Sequence, residues 1–526
     1  MRPEDDAPRR LDHFHGGVHL PGHKHESTRL PIRPARLPKT LVIPLAQHIG
    51  QPAEPVVSVG DQVLKGQLIA RASDYVSAPV HASSSGTVVA IEDRPIPHPS
   101  GRSAPCIVIE TDGQEQWRWR KSLPGDYRQM DPSHLRNLIR EAGIVGLGGA
   151  GFPTAVKLNP LPGKVVETLI LNGAECEPYI TCDDMLMRER PYDILSGVEI
   201  MRHALQAERV VIAVENNKPQ AIEALREALR FRKLEESIEL IPVPTIYPAG
   251  AEKQLIKVIT GREVPSNGLP IDIGVVCHNV GTAAAVHRAI HLGEPLISRI
   301  VTIAGGVAEP RNLEVLIGTP FRELVEECHG VPGTLDKLIM GGPMMGVAVH
   351  SDQVPVIKTT NCILAVTVAD MPLPHRGYAM PCIRCGKCYD ACPMELLPQQ
   401  LYWYARAKDL EKVQEYHLFD CIECGCCDYV CPSHIPLVQY YRYAKTAIWA
   451  QERERERADL ARRRFEARKA RLEREKRERE QRHKRKRQAK PEDRQATILA
   501  AMQKAQEKKN KQPPAANEPG DEEAAQ

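Results

Sequence analysis

The chain carries one cysteine pattern twice: CIRCGKCYDACP at residues 382–393 and CIECGCCDYVCP at residues 421–432. Three cysteines spaced two residues apart can hold three corners of an iron–sulfur cube, and a fourth that precedes proline ligates the cube of the other copy. The pattern therefore predicts two four-thiolate sites with crossed membership. The first site is Cys382, Cys385, Cys388 and Cys431; the second is Cys421, Cys424, Cys427 and Cys392.

Zinc is the alternative ligand, because Cys-x2-Cys pairs also form structural zinc sites. Two complete copies, each ending in Cys-Pro, favour a helical two-[4Fe–4S] ferredoxin domain over residues 372–445. Cys426 has no place in the pattern and is predicted not to be a ligand.

Length and composition agree with a multidomain protein that uses cysteine for metal or redox chemistry. The 526 residues suffice for roughly three or four domains, and 42% of them are hydrophobic. No stretch of about 18 apolar residues predicts a transmembrane helix, and the first residues lack the apolar core of a signal peptide. We therefore expect a cytoplasmic protein, in which the 15 cysteines are not a disulfide framework.

Charge is distributed unevenly along the chain. Residues 451–490 have a net charge of +10, whereas the whole chain has +3, which leaves −7 for the remainder. An acidic body argues against nucleic-acid binding. Residues 450–526 are predicted to be a charged tail, helical where Glu and Arg recur three and four residues apart, and ending in a Pro, Glu and Ala rich stretch. A solvated helix is one interpretation, and attachment to anionic lipid or to a partner is the other.

The N-terminal part predicts a small β domain after an extension. Residues 1–37 contain five histidines between His13 and His25, without the spacing of a metal site, and we expect local turns or surface packing there. Short β-branched runs at residues 56–61, 63–70, 77–80 and 86–91 predict strands separated by turns. This arrangement, over residues 38–115, resembles the barrel-sandwich hybrid of biotinyl and lipoyl carriers. No acceptor lysine stands at residues 71–76, so the domain is predicted to be structural or to dock a partner.

Residues 130–290 predict an α/β domain, and residues 298–350 a small α+β unit. The first contains a glycine-rich loop, GLGGAGFPT at residues 146–154, which lets backbone N–H groups approach a phosphate or a ring. The loop lacks the Lys-Ser or Lys-Thr ending of a nucleotide-hydrolysing loop. On its own the loop is weak evidence, because tight turns have the same composition.

Its surroundings resemble a known site. The runs GLGGAGFPTAVKL, NGAECEP at residues 172–178, YPAGAE at 247–252 and NVGT at 279–282 are similar, in order, to the FMN and NADH site of the FMN-carrying subunit of respiratory complex I. Residues 298–348 resemble the SLBB module of that subunit. The resemblance implies a Rossmann-like FMN domain and a β-grasp-like SLBB module. The implied cofactor-binding residues are Gly146, Gly148, Gly149, Gly151, Phe152, Lys157, Asn172, Glu175, Tyr247, Gly250, Glu252, Asn279 and Thr282.

Within this set the resemblance implies particular roles. Lys157 and Asn172 are polar partners of FMN, and Asn279 and Thr282 lie near its phosphate. Glu175 and Glu252 match acidic positions that face the nicotinamide nucleotide. The sequence departs from the family at Leu147, Ala174 and Ala251, where the family has Arg, Asp and Glu, so the NADH contacts are the altered part.

Together with KTTNCIL at residues 358–364, FHGGVH at residues 14–19 and the two cysteine patterns, these modules resemble the C subunits of Rnf, or Rsx, ion-translocating electron-transport complexes. That resemblance implies an oxidoreductase subunit that exchanges electrons between NAD(H) and ferredoxin through non-covalent FMN and two [4Fe–4S] clusters. It further implies integral-membrane and peripheral partner subunits and a place on the cytoplasmic face of the bacterial inner membrane. No general base is needed, because the chemistry belongs to the cofactors. A non-catalytic iron–sulfur electron carrier without NADH activity is the alternative function.

Overall fold

The computed structural model describes residues 11–119, 126–160, 163–370, 379–488 and 491–509. It divides into two compact units, residues 1–445 and 446–526. The Pro, Glu and Ala rich end of the tail and the beginning of the predicted ferredoxin domain, residues 372–378, lie outside the described ranges. Throughout those ranges, the helices are too short or too polar to cross a bilayer.

The elements are labelled in chain order. The strands are β1 (Arg33–Pro34), β2 (Thr40–Pro44), β3 (Glu54–Pro55), β4 (Gln62–Val63), β5 (Leu68–Arg71), β6 (Val80–His81), β7 (Gly86–Pro95), β8 (Ser103–Thr111), β9 (Thr168–Gly173), β10 (Arg209–Glu215), β11 (Glu239–Val243), β12 (Val275–Asn279), β13 (Ser298–Gly305), β14 (Arg311–Leu316), β15 (Leu335–Met340), β16 (Val347–Val349) and β17 (Cys362–Thr367). The α-helices are α1 (Pro132–Glu141), α2 (Thr154–Lys157), α3 (Cys182–Glu189), α4 (Pro191–Leu205), α5 (Pro219–Arg232), α6 (Glu252–Thr260), α7 (Val280–His291), α8 (Phe321–Glu327), α9 (Lys387–Asp390), α10 (Pro398–Ala407), α11 (Leu410–Glu415), α12 (Cys426–Tyr429), α13 (Leu437–Gln488) and α14 (Pro491–Lys509).

The first domain is the predicted barrel-sandwich hybrid. Two antiparallel sheets, in the orders β2-β8-β7-β4 and β3-β5-β6, enclose a core that includes Leu41, Ile69 and Ile107. The prediction of a strand at residues 56–61 is wrong: Val56 and Val59 are exposed, and Gly60 adopts a φ of +97° in a turn. β-branched composition alone predicted a strand there, but no neighbouring sheet covers these side chains.

The α/β domain contains a parallel sheet in the order β11-β10-β9-β12. Alternate residues of β9 face opposite layers: Leu169 and Leu171 pack with α1, α4, α5 and α7, and Ile170 packs against α6. The carboxyl ends of these parallel strands lie at one edge of the sheet, which is where ligands bind in such folds. The Rossmann-like prediction is confirmed.

The third domain is a mixed sheet in the order β1-β14-β13-β17-β15-β16, with α8 packed against it. Two of its strands come from outside the segment predicted for it. β1 belongs to the N-terminal extension and pairs in parallel with β14, while β17 follows the segment and pairs with β13 and β15.

The cysteine-rich part is helical, as predicted, with α9 and α12 as short equivalent turns around the third cysteine of each copy. In the second unit, α13 continues beyond residue 446 and is followed by α14. The tail is helical within the described residues, and every described side chain from Trp449 onward is exposed in the isolated chain.

The N-terminal segment, defined here as residues 11–28, runs along the α/β domain and the cysteine-rich domain. Asp12 donates its N–H to the carbonyl of Val258, and Val18 exchanges two backbone hydrogen bonds with Tyr247 at 2.8 and 3.0 Å. Gly17 donates to the carbonyl of Ala391. The N-terminal segment is therefore a packed connection between these two domains.

Candidate functional site

The glycine-rich loop lies beside the carboxyl edge of the parallel sheet. A Cβ on Gly148 would lie 3.4 Å from the Cβ of Asn279, at the end of β12, whereas a Cβ on Gly149 would meet nothing within 4 Å. Residues 148–150 are exposed, and the loop is tied down at its base because Leu147 donates its N–H to Thr282 Oγ1 at 3.0 Å. An open, anchored run of backbone with no side chain larger than a methyl group is the cradle that a flavin phosphate or ring requires.

Two residues predicted to contact the flavin lie next to this loop. Lys157, at the end of α2, forms an ion pair with Glu252 at 2.6 Å. Asn172, at the end of β9, donates from Nδ2 to the carbonyl of Gly250 at 2.8 Å and accepts from the N–H of Ala174. The structure thus brings the loops after β9 and β11 together next to the glycine-rich loop.

Asn279, Thr282 and Glu175 are engaged by the protein itself. Asn279 caps α7 through Gly281 and donates to Asp183 at 2.6 Å. The carboxylate of Glu175 accepts from the N–H of Asp183 at 2.8 Å, at the beginning of α3. Burial raises the pKa of Asp183 to about 7, and the neighbouring Glu175 carboxylate adds to the shift. These side chains form the floor of the site and support its loops.

Tyr247 is turned away from the glycine-rich loop. Its ring is buried, and its hydroxyl donates to the carbonyl of Cys424 at 2.7 Å. Its own carbonyl accepts a weak bond from the thiol of Cys426 at 4.0 Å. Tyr247 therefore connects the loop that carries Gly250 and Glu252 with the second cysteine copy.

The first predicted thiol set surrounds a single cavity. Cys382, Cys385 and Cys388 come from the first copy and Cys431 from the second, and Tyr402 closes one side of the cavity. Four convergent thiols of this kind are the donor set of a [4Fe–4S] cluster, and they would equally suit zinc.

The second set is brought together in the same crossed manner. Burial raises the pKa of the Cys421 thiol to about 12, and negative charge on Cys424 and Cys392 adds to the shift. Cys427 likewise has a raised pKa because of burial and the nearby charges of Asp428 and the other three thiols. These mutual charge effects indicate that Cys421, Cys424, Cys427 and Cys392 lie close together, as the ligands of one cluster must. Cys426 is fully buried and lies outside this set.

Sequence reasoning missed two groups of contacts that hold these parts together. Lys24, in the N-terminal segment, donates from Nζ to the carbonyls of Glu175, Glu177 and Ile180 at 2.6, 2.8 and 2.7 Å. The Glu177 carboxylate accepts from the N–H groups of residues 344 and 345, in the third domain. The FHGGVH run marks where the N-terminal segment packs on the cysteine-rich domain: its two glycines adopt φ values of +66° and +83°, and one of them packs on Ala391.

Family models match four segments of the chain. The RnfC barrel sandwich hybrid domain matches residues 12–114, and the Nuo51 FMN-binding domain matches residues 139–288. An SLBB domain matches residues 300–348, and a 4Fe-4S dicluster domain matches residues 381–435. The first match begins at residue 12, so it takes in the N-terminal segment.

Curated relatives match most of the chain. A protein of Pseudomonas aeruginosa, named as the C subunit of an ion-translocating oxidoreductase complex, is 51% identical over 463 residues, which are 88% of this chain and 59% of that protein. The protein of the same name from Vibrio cholerae is 49% identical over 466 residues, with 88% and 59% covered. The chain thus spans about three fifths of the length of these relatives. Among solved structures, an NAD+-reducing [NiFe]-hydrogenase chain is 20% identical, with a TM-score of 0.45 and coverage of 58% of this chain and 60% of that one.

Proposed function

The chain belongs to the family of C subunits of ion-translocating oxidoreductase complexes, and we propose that it is the peripheral subunit that carries electrons between NAD(H) and the other subunits. Its cofactors are non-covalent FMN in the α/β domain and two [4Fe–4S] clusters in the cysteine-rich domain. Its partners are integral-membrane and peripheral subunits and ferredoxin, at the cytoplasmic face of the bacterial inner membrane.

The residues contribute binding and orientation rather than acid–base chemistry. FMN and the clusters, when bound, supply the conversion between two-electron hydride chemistry and one-electron transfer. Backbone N–H groups of residues 148–150 would bind the flavin. The ion pair between Lys157 and Glu252 forms one side of the flavin pocket. The crossed thiol sets hold one cluster each.

A single contact carries this proposal: the hydroxyl of Tyr247 bonds to the carbonyl of Cys424. The loop that begins at Tyr247 also supplies Gly250 and Glu252, which stand at the mouth of the glycine-rich loop. A flavin site and a cluster site that share one loop suit direct electron transfer between them.

A specific observation favours a second candidate, a non-catalytic electron carrier. Glu175, which the resemblance assigns to the nicotinamide nucleotide, is occupied with the beginning of α3, and Leu147, Ala174 and Ala251 depart from the NADH-binding pattern. In that case electrons would pass between protein partners without NADH.

An anaerobic absorbance titration with NADH separates the candidates. The full chain is supplied with FMN and its clusters are reconstituted. We expect flavin bleaching at about one equivalent of NADH, followed by loss of the broad iron–sulfur absorbance. Clusters that dithionite reduces, beside a flavin that NADH leaves oxidised, would instead establish the electron carrier.

Cysteine variants test the crossed ligand sets. Cys392→Ser and Cys431→Ser are each expected to remove a different cluster, observed as loss of a different EPR signal. Cys106→Ser, in a buried site of the barrel, is the matched control and keeps both. Loss of the same signal from Cys392→Ser as from Cys388→Ser would contradict the crossed arrangement.

A further inference from the structure

The two cysteine copies have the same spacing but very different surroundings. In the first copy Ile383 is 68% exposed and Cys385 is exposed. In the second copy the equivalent Ile422 is only partly exposed and Cys424 is buried. Since the local fold repeats, the difference comes from what packs against each copy.

The space around the equivalent glycines of the two copies shows this difference in packing. A Cβ on Gly425 would lie 3.1 Å from the carbonyl of Met344, in the third domain. A Cβ on Gly386 would meet nothing within 4 Å. Tyr247 and Met344 therefore cover the second copy, whereas the described neighbours leave this side of the first copy open. Electron transfer weakens steeply with distance, so the first cluster site is the one within reach of another protein.

The exposed residues of the first copy include two cations and two apolar side chains. Arg384 and Lys387 are exposed on either side of Cys385, next to the exposed Ile383 and Met380. At the equivalent places the covered copy has Glu423 and Cys426. Complementary charge raises association rates and selects partners, and it acts most strongly at low ionic strength.

We propose that the surface of Met380, Ile383, Arg384 and Lys387, called the basic port, docks an acidic one-electron carrier protein. One electron passes in each encounter between the cluster site of Cys382, Cys385, Cys388 and Cys431 and the centre of the carrier, with no proton and no bond transferred. The inference rests on the proposed function for the presence of that cluster, but it is independent of whether NADH is the donor.

The test uses the full chain with reconstituted clusters, reduced chemically by dithionite and freed of excess reductant, so that NADH activity does not enter. Stopped-flow absorbance follows electron transfer to an acidic ferredoxin and, separately, to a basic c-type cytochrome, over a range of ionic strength. The variant is Arg384→Glu with Lys387→Glu. Glutamate suits position 384, where φ is +56°, because Glu423 adopts +57° at the equivalent position. The control is Arg29→Glu with Lys233→Glu, exposed cations elsewhere on the chain.

We expect the variant to react at least about tenfold more slowly with the acidic carrier at low ionic strength and faster with the basic one. High salt should remove both differences, and the control should match the wild type. An unchanged rate with the acidic carrier, at intact EPR signals for both clusters, would overturn the proposal. If the charge reversal prevents cluster loading, the neutral variant Arg384→Gln with Lys387→Gln is tested instead. We expect a smaller decrease in its rate of electron transfer to the acidic carrier. A rate equal to that of the wild type would refute the basic port.

Discussion

Replacing Tyr247 by phenylalanine removes one hydroxyl from the junction between the flavin loop and the second cysteine copy. The ring stays in place, and the backbone pairing with Val18 does not involve the lost atom. The carbonyl of Cys424, in a residue that is 7% exposed, loses its donor. Leaving a buried acceptor unpaired costs about 1–3 kcal/mol, so we expect the chain to fold with modest destabilisation.

The same hydroxyl directs its positive end towards the backbone carbonyl of Cys424, whose thiolate would ligate the second cluster. Cluster reduction adds negative charge, and a nearby positive dipole end favours it. If ~1 kcal/mol of the lost bond distinguishes the two charge states, the one-electron potential falls by about 40 mV, because about 59 mV corresponds to a tenfold change, or about 1.4 kcal/mol.

An EPR-monitored redox titration of the reconstituted protein measures this shift. We expect the cluster that is lost in Cys392→Ser to move to a more negative potential in Tyr247→Phe, while the other cluster stays unchanged. Tyr402→Phe, beside the cavity of the first set, is the matched control and should affect only the other cluster. A shift confined to the wrong cluster, or no shift in either, would refute the reasoning.

Three further predictions concern stability. Lys24→Met leaves the carbonyls of Glu177 and Ile180 without their donor, and that of Glu175 with only the 3.4 Å bond from Lys218 Nζ. Denaturant titration should record a free energy of unfolding lowered by ~3 kcal/mol, whereas Lys24→Arg should lose less. Gly197→Ala places a Cβ against the carbonyl oxygen of Ala283, well inside contact distance. Calorimetry should therefore record destabilisation of about 2 kcal/mol or more. An unchanged Tm would contradict the close contact between α4 and α7. Burial lowers the pKa of Lys358 to about 7, so above that pH the unfolded chain binds more protons than the folded chain. The free energy of unfolding of the wild type, relative to that of Lys358→Met, should therefore rise by about 1 kcal/mol per pH unit from pH 7 to 9. Stability profiles of the two proteins that run parallel over this pH range would refute the prediction.

The cysteine sets and the glycine-rich loop could be predicted because their chemistry is local in sequence. Cys382, Cys385 and Cys388 need only a turn to converge, and the crossed fourth ligand follows from the repeat. The parallel sheet was equally accessible, since buried strands such as β10 are continuous apolar runs.

Contacts over long separations could not be predicted in this way. Tyr247 and Cys424 are 177 residues apart, and no periodic pattern connects them. Lys24 is an ordinary surface residue in the sequence, and only the folded chain converts it into a donor to three carbonyls. The unequal burial of Cys385 and Cys424 is likewise invisible to spacing, because it depends on a neighbouring domain.

The N-terminal segment has a consequence for the order of biosynthesis. Residues 11–28 leave the ribosome early, yet Gly17 binds the carbonyl of Ala391, which is synthesised more than 370 residues later. His15 completes the same contact through the carbonyl of Cys392 at 3.0 Å. The segment can dock fully only after the cysteine-rich domain has emerged, so the nascent chain remains open there during translation. Cluster ligands can therefore meet their metal before this contact closes.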